Sequence, residues 1–144
     1  MPEIKFVKGD ILKDKSEVLV NPVNRVGVMG KGLAKAFKLK FPEIEAPYKE
    51  WCRSGSGNFL LVQVSDCQWV LNFPTKNHWK DKSDFNDVKR LIQLLPSTLT
   101  QAGFSSAAIP PLGCGLGGLK WVDVREEIVR EFTGKNLEVI IYEQ

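Results

Sequence analysis

Short apolar runs of β-type composition recur along this chain, with stretches of helical periodicity between them. Ile4–Val7 and Val18–Val20 are the first two runs, the second ending at Asn21-Pro22. Phe59–Val64 and Trp69–Phe73 follow, separated by the turn-like Ser65-Asp66-Cys67-Gln68. Ala107–Ile109 ends at Pro110-Pro111, and Leu137–Tyr142 is the last run. Short runs bounded by turn residues fit strands buried inside a sheet. Between them, Leu33, Phe37 and Phe41 sit four apart on one face of a helix over 31–41, which Pro42 stops. Val88, Leu91, Ile92, Leu95 and Leu99 form a second stripe, with Ser83 or Asp84 as N-cap and Gly103 as C-terminal cap. Pro96 predicts a kink or a break in that helix. Val124, Ile128 and Phe132 mark a third helix ending at Gly134. Alternation of strands with helices predicts a layered α/β domain with a mixed or mostly parallel sheet.

The 144 residues suit one domain over 1–144, and 43% apolar with 26% charged residues is the globular range. A net charge of +3 permits a polyanionic partner without requiring one. Basic residues cluster in 31–40 and 76–90, where a solvated helix face accounts for them equally well. Cys52, Cys67 and Cys114 are odd in number, widely spaced and without a C-x-x-C pair. That argues for a reducing compartment, against a disulfide framework and against structural zinc. With one histidine, His78, no metal cluster is expected, nor any cofactor. No stretch has the length of a membrane span and no apolar signal segment opens the sequence. The expectation is a soluble, cytoplasmic, monomeric protein with no membrane partner.

In open α/β sheets, ligands sit beyond the carboxyl ends of the strands. Four suggestive segments fall there: Gly9-Asp10, Asn21–Gly32, Thr75-Lys76 and Gly113–Gly118. Gly113-Cys114-Gly115-Leu116-Gly117-Gly118 holds four glycines in six residues, which lets a ligand approach the backbone and can expose successive N–H groups to an anion. A tight strand-to-helix turn has the same composition. The loop is neither a Walker A motif nor a dinucleotide fingerprint, since no Gly-Lys-Ser/Thr follows and it comes late in the chain. Asn21-Pro22-Val23-Asn24 leads through Gly27, Gly30 and Gly32 into a helix, again a geometry suited to an anion. Asn21 and Asn24 suit ribose hydroxyls or serve as turn caps. Gly9-Asp10 by itself is an ordinary turn.

Taken in order, Gly9-Asp10-Ile11, Asn21-Pro22-Val23-Asn24, Gly30-Lys31-Gly32-Leu33-Ala34 and Gly113–Gly118 resemble the macrodomain family over nearly the whole chain. The stretches Asn72–Trp79 and Gly113–Trp121 are most similar to its branch of DarG-type antitoxins, with the terminal ADP-ribose glycohydrolase a more distant relative. The resemblance implies a three-layer α/β/α fold with a central mixed sheet and ADP-ribose as ligand. It implies that Asp10 accepts from the adenine amine and that Ile11 lines the base pocket. It places Asn21 and Asn24 near the distal ribose. Gly30, Lys31, Gly32 and Leu33 would wrap the diphosphate and distal ribose together with Gly113, Cys114, Gly115, Leu116 and Gly117, and Thr75 would stand beside them. Lys76 falls on the catalytic lysine of this branch.

The resemblance leaves two routes for Lys76. A neutral amine attacks the anomeric carbon, or an ammonium assists departure of the linked group. A diphosphate nearby favours the ammonium. The terminal glycohydrolase pairs its lysine with an aspartate in the second glycine-rich loop, and here that position holds Gly117. This favours hydrolysis of ADP-ribose from thymine in single-stranded DNA over hydrolysis from protein glutamates. The implied roles are antitoxin to a DarT-type DNA ADP-ribosyltransferase and DNA repair. A reader that binds ADP-ribose without turnover, and a hydrolase of ADP-ribosylated protein, are the alternatives.

Trp79 can stack on a nucleobase while Lys80 and Lys82 meet phosphates, or the segment is a solvated loop with its tryptophan on the core. His78 reads as a loop residue sooner than a general base, and Cys114 as a small filler. Trp51, Trp69 and Trp121 read as core or loop anchors.

Overall fold

A computed structural model describes residues 3–143. Six strands form one sheet in the order β1-β6-β5-β2-β4-β3. They are β1 (Ile4–Val7), β2 (Val18–Asn24), β3 (Leu60–Ser65), β4 (Gln68–Lys76), β5 (Ser106–Ile109) and β6 (Glu138–Tyr142). All neighbours run parallel except the β3–β4 hairpin, so the sheet is mixed. Four α-helices accompany it: α1 (Gly32–Lys40), α2 (Glu45–Arg53), α3 (Phe85–Gln101) and α4 (Trp121–Phe132).

Two apolar clusters show the layering. Val20, Leu71, Phe73, Ala107 and Ile109 pack with Val88, Leu91, Ile92, Leu95 and Leu99 of α3 and Val124, Ile128 and Phe132 of α4. Leu19, Val70 and Ala108 alternate with those strand residues and pack with Phe37 of α1, Ile44 and Tyr48. Period-two strands thus feed both faces, and the three-layer expectation holds. Trp69 meets Phe104 edge-on at 5.9 Å, and Trp51 lies 6.4 Å from Tyr48, so both are anchors.

Three elements differ from the sequence expectation. Helix α3 runs unbroken through Pro96. The proline costs about 3 kcal/mol in a helix interior, whereas each buried aliphatic side chain on that face is worth about 1.5–3 kcal/mol. Five such side chains flank Pro96 on the buried face, and Asp84 caps the first turn by accepting from Asn86 N at 2.8 Å. Helix α2 escaped the periodicity because only Tyr48 within it is buried. Strand β2 continues past Asn21-Pro22, which read as a turn. It pairs with β4 as far as Asn24 opposite Lys76, but with β5 only at Val18 and Leu19. Pro22, which has no N–H, falls where β5 has already left.

Candidate functional site

The parting of β2 from β5 opens the sheet at its carboxyl edge. The helices switch faces here, since β2 leads to α1 on one side and β4 to α3 on the other, the arrangement that makes a crevice in open α/β sheets. A cleft of about 560 Å³ lies there. Its walls come from the end of β2 through the start of α1, from Thr75 and Lys76 at the end of β4 with Trp79 beyond it, and from Pro110, Pro111, Gly113 and Gly115–Gly117 after β5.

Asn24 shapes the first wall. Its Oδ1 accepts from Val26 N at 3.0 Å and lies 2.7 Å from the buried Tyr48 hydroxyl, and its Nδ2 donates to Val28 O at 2.7 Å. Burial pushes the Tyr48 hydroxyl well above its ordinary titration range. Arg25 extends the brace, with its N–H on Asn77 O at 3.2 Å and its guanidinium on Ser56 O and Gly57 O at 3.0 and 2.9 Å. The loop then enters α1 with no side-chain cap. The N–H groups of Gly32, Leu33 and Ala34 have no intrahelical partner, and all three residues line the cleft. Gly32 turns the corner at φ +60°.

The opposite wall is the glycine loop. Cys114 N donates to Pro111 O at 3.1 Å, Gly118 N to Gly115 O at 3.2 Å and Leu119 N to Gly113 O at 2.9 Å. Among the described residues, the N–H groups of Gly115, Leu116 and Gly117 donate to no main-chain carbonyl, and these residues line the cleft. Both walls therefore carry main-chain N–H groups with no main-chain acceptor, the kind of donor that suits an anion. They also touch over the top, since a Cβ on Gly32 would lie 3.5 Å from Leu116 Cδ1. Gly113, at φ +74°, sits in the left-handed region that favours glycine. At Gly117 the constraint is space: a Cβ would overlap Ser83 Oγ and stand 2.5 Å from Gly113 O.

Lys76 ends β4 in the cleft, with Nζ donating to Trp79 O at 3.0 Å. Trp79 is 43% exposed. The His78 ring lies 5.3 Å from its ring and the Lys80 ammonium 5.0 Å above it. Thr75 is buried in the cleft wall, where its Oγ1 donates to Val23 O at 3.5 Å.

Of the four strand-end segments expected to converge, three form the cleft: Asn24, Gly30–Leu33, Thr75, Lys76, Gly113 and Gly115–Gly117. Asp10 lies outside the lining and caps a short 3-10 turn, accepting from Leu12 N at 3.0 Å, with Ile11 buried behind it. Asn21 is buried below the floor, donating to Asn72 Oδ1 at 3.0 Å. Cys114 faces the core and burial pushes its thiol up to about 11, which suits a filler. Sequence reasoning missed Val28, Pro110 and Pro111 in the lining, Tyr48 as the brace of Asn24, and Ser83 behind Gly117. Nothing in local composition marks contacts made across the sheet. Among the described residues, no group of three or more His, Cys, Asp or Glu could hold a metal, and no helix is long and apolar enough to cross a membrane.

Comparison with known proteins agrees with this geometry. The macrodomain of Mycobacterium tuberculosis DarG superposes with a TM-score of 0.94 at 35% identity, over 99% of this chain and 98% of that one. Thermosipho africanus DarTG, solved in complex with ADP-ribose, superposes with a TM-score of 0.91 at 31% identity, over 100% of this chain and 42% of that one. In sequence, a DNA ADP-ribosyl glycohydrolase of Mycobacterium tuberculosis is 37% identical over 146 residues, 96% of this chain and 42% of the relative. The chain thus spans about two fifths of the length of that curated relative. Residues 20–128 match the Macro domain family. The chain belongs to the Macro domain family.

Proposed function

We propose that the cleft binds ADP-ribose and that Lys76 promotes hydrolysis of the bond joining its distal ribose to a thymine of single-stranded DNA. The observation that carries this reading is the position of Lys76 Nζ in one cleft with main-chain donors on both walls. The names of the relatives support it, DNA ADP-ribosyl glycohydrolase for the sequence and an ADP-ribose complex for the structure.

In this reading the N–H groups of Gly32, Leu33, Gly115, Leu116 and Gly117 hold the diphosphate. Asp10 and Ile11 serve the adenine, and Asn21 and Asn24 act from beneath the distal ribose. Water oxygen joins the anomeric carbon as the carbon–nitrogen bond breaks. The Lys76 ammonium gives a proton to the departing base nitrogen, and the water proton leaves to solvent and recharges the lysine. One of the three ammonium donors is held by the Trp79 carbonyl, so two remain for substrate. The loop has no room for a second acid at position 117. Trp79, with His78 and Lys80 around it, offers its ring to a base of the strand, and base–aromatic stacking is worth about 1–3 kcal/mol. The partner implied is a DarT-type toxin and the setting cytoplasmic, in keeping with three free thiols.

Wild-type protein offered an ADP-ribosylated DNA strand and a glutamate-ADP-ribosylated protein should release ADP-ribose from the DNA. Release from protein alone would instead identify a protein hydrolase. Tight binding of ADP-ribose with neither substrate turned over would make the chain a reader.

A further inference from the structure

Residues 77–84 form a strap from Lys76 to the N-cap of α3. The strap runs beside the glycine loop and is tied to it near its α3 end, where Ser83 N donates to Gly117 O at 2.9 Å. The Lys82 stem also lies against the loop, 3.3 Å from where a Cβ on Gly118 would stand. At this tie the Ser83 hydroxyl is buried and has no hydrogen-bond partner. It is wedged between Gly113 and Gly117, 3.2 Å from where a Cβ on Gly113 would be and overlapping one on Gly117. A buried hydroxyl without a partner is costly, so its retention needs a reason.

Gly115, Leu116 and Gly117, whose N–H groups donate to no main-chain carbonyl, line the cleft. Behind the loop, Gly113 O accepts Leu119 N and has a second lone pair. This oxygen lies 2.5 Å from the same missing methyl position beside Gly117 that Ser83 Oγ overlaps, so hydroxyl and carbonyl are near neighbours.

We propose that Ser83 is a positioning residue whose hydroxyl is unspent in the free protein and donates to the Gly113 carbonyl when a diphosphate draws the loop into place. The step rests on the reading of the cleft as an ADP-ribose site. It links the segment that carries Lys76 to the loop that holds the anion, so ligand binding tightens both together.

The test is Ser83→Ala, with thermal midpoint, ADP-ribose affinity by calorimetry, and steady-state hydrolysis of ADP-ribosylated DNA. The free variant should melt no lower than wild type, because the deleted hydroxyl makes no bond there. Its Kd for ADP-ribose should rise roughly three- to tenfold, the size of one net hydrogen bond. KM should rise with it, while kcat stays within about twofold. A lower melting midpoint with unchanged Kd would show a purely structural serine and overturn the proposal, as would a variant equal to wild type in every measurement. Failure of wild type itself to bind ADP-ribose would overturn the cleft reading, an outcome visible before the variant is examined.

Discussion

Gly117 tolerates no side chain in the conformation described here, since both a side-chain oxygen and a main-chain oxygen occupy the space a Cβ would need. Gly117→Ala should therefore weaken ADP-ribose binding at least tenfold by calorimetry, and the overpacking should cost about 1–3 kcal/mol of stability. An unchanged Kd would show that the loop gives way freely. Asn24 is constrained by bonds instead of space. Asn24→Ala strands the Val26 and Val28 amides and takes from the buried Tyr48 hydroxyl one of its two acceptors, at a cost of about 1–3 kcal/mol. Tyr48→Phe removes a single O–H donor, shared between Asn24 O and Oδ1, and should cost less, both read from denaturant midpoints. At this scale the sequence was a partial guide. Asn24 left open a ribose contact and a turn cap, and its Oδ1 and one N–H of its Nδ2 bond the loop. Lys76 could be picked out only by resemblance, because its distinction is where β4 ends, and any of 20 basic residues looks alike in composition.

Among the elements, β2 and β5 are held together at the end away from the cleft by Glu17, whose Oε1 accepts from Ser105 N at 2.7 Å and from Ser105 Oγ at 2.8 Å. The Ser105 main-chain bond, then its hydroxyl, hold the Glu17 carboxyl below its ordinary range. A carboxylate depressed in the folded state stabilises fully above its unfolded pKa, and that stabilisation is lost as pH falls through the folded value. Wild type should therefore lose more of its thermal midpoint than Glu17→Gln as pH drops from about 5 to 3. Parallel acid limbs for the two proteins would refute this. The sequence revealed β1, the first three residues of β2, β3 to β6, and the helices α1, α3 and α4. Helix α2 went unmarked because its apolar face is short, Tyr48 with the partly buried Trp51 and Cys52, and the Asn-Pro pair in β2 imitates a turn because only the loss of β5 as neighbour makes a proline acceptable there.

Over the whole molecule, the order β1-β6-β5-β2-β4-β3 puts every feature of the cleft at one switch point. That order was not legible from periodicity, which gives strands but not their neighbours. The charge of +3 is modest, yet Lys31, Lys76, Lys80 and Lys82 all belong to the segments that form or border the cleft. If three of them meet phosphates of a DNA strand, raising salt from about 50 to 200 mM should weaken strand binding roughly tenfold or more. Free ADP-ribose, with fewer phosphates, should respond less. Equal salt slopes for the two would mean that the strand makes no contact beyond the nucleotide in the cleft.

In the function proposed above, Lys76 turns a binding cleft into a hydrolase. Single-turnover release of ADP-ribose from a DNA strand carrying one ADP-ribosylated thymine, by wild type and Lys76→Ala, tests it most directly. The rate should fall about 10²–10⁴-fold in the variant, while the Kd for free ADP-ribose moves by less than about tenfold, under 1.4 kcal/mol. Release by Lys76→Ala at the wild-type rate would contradict the account.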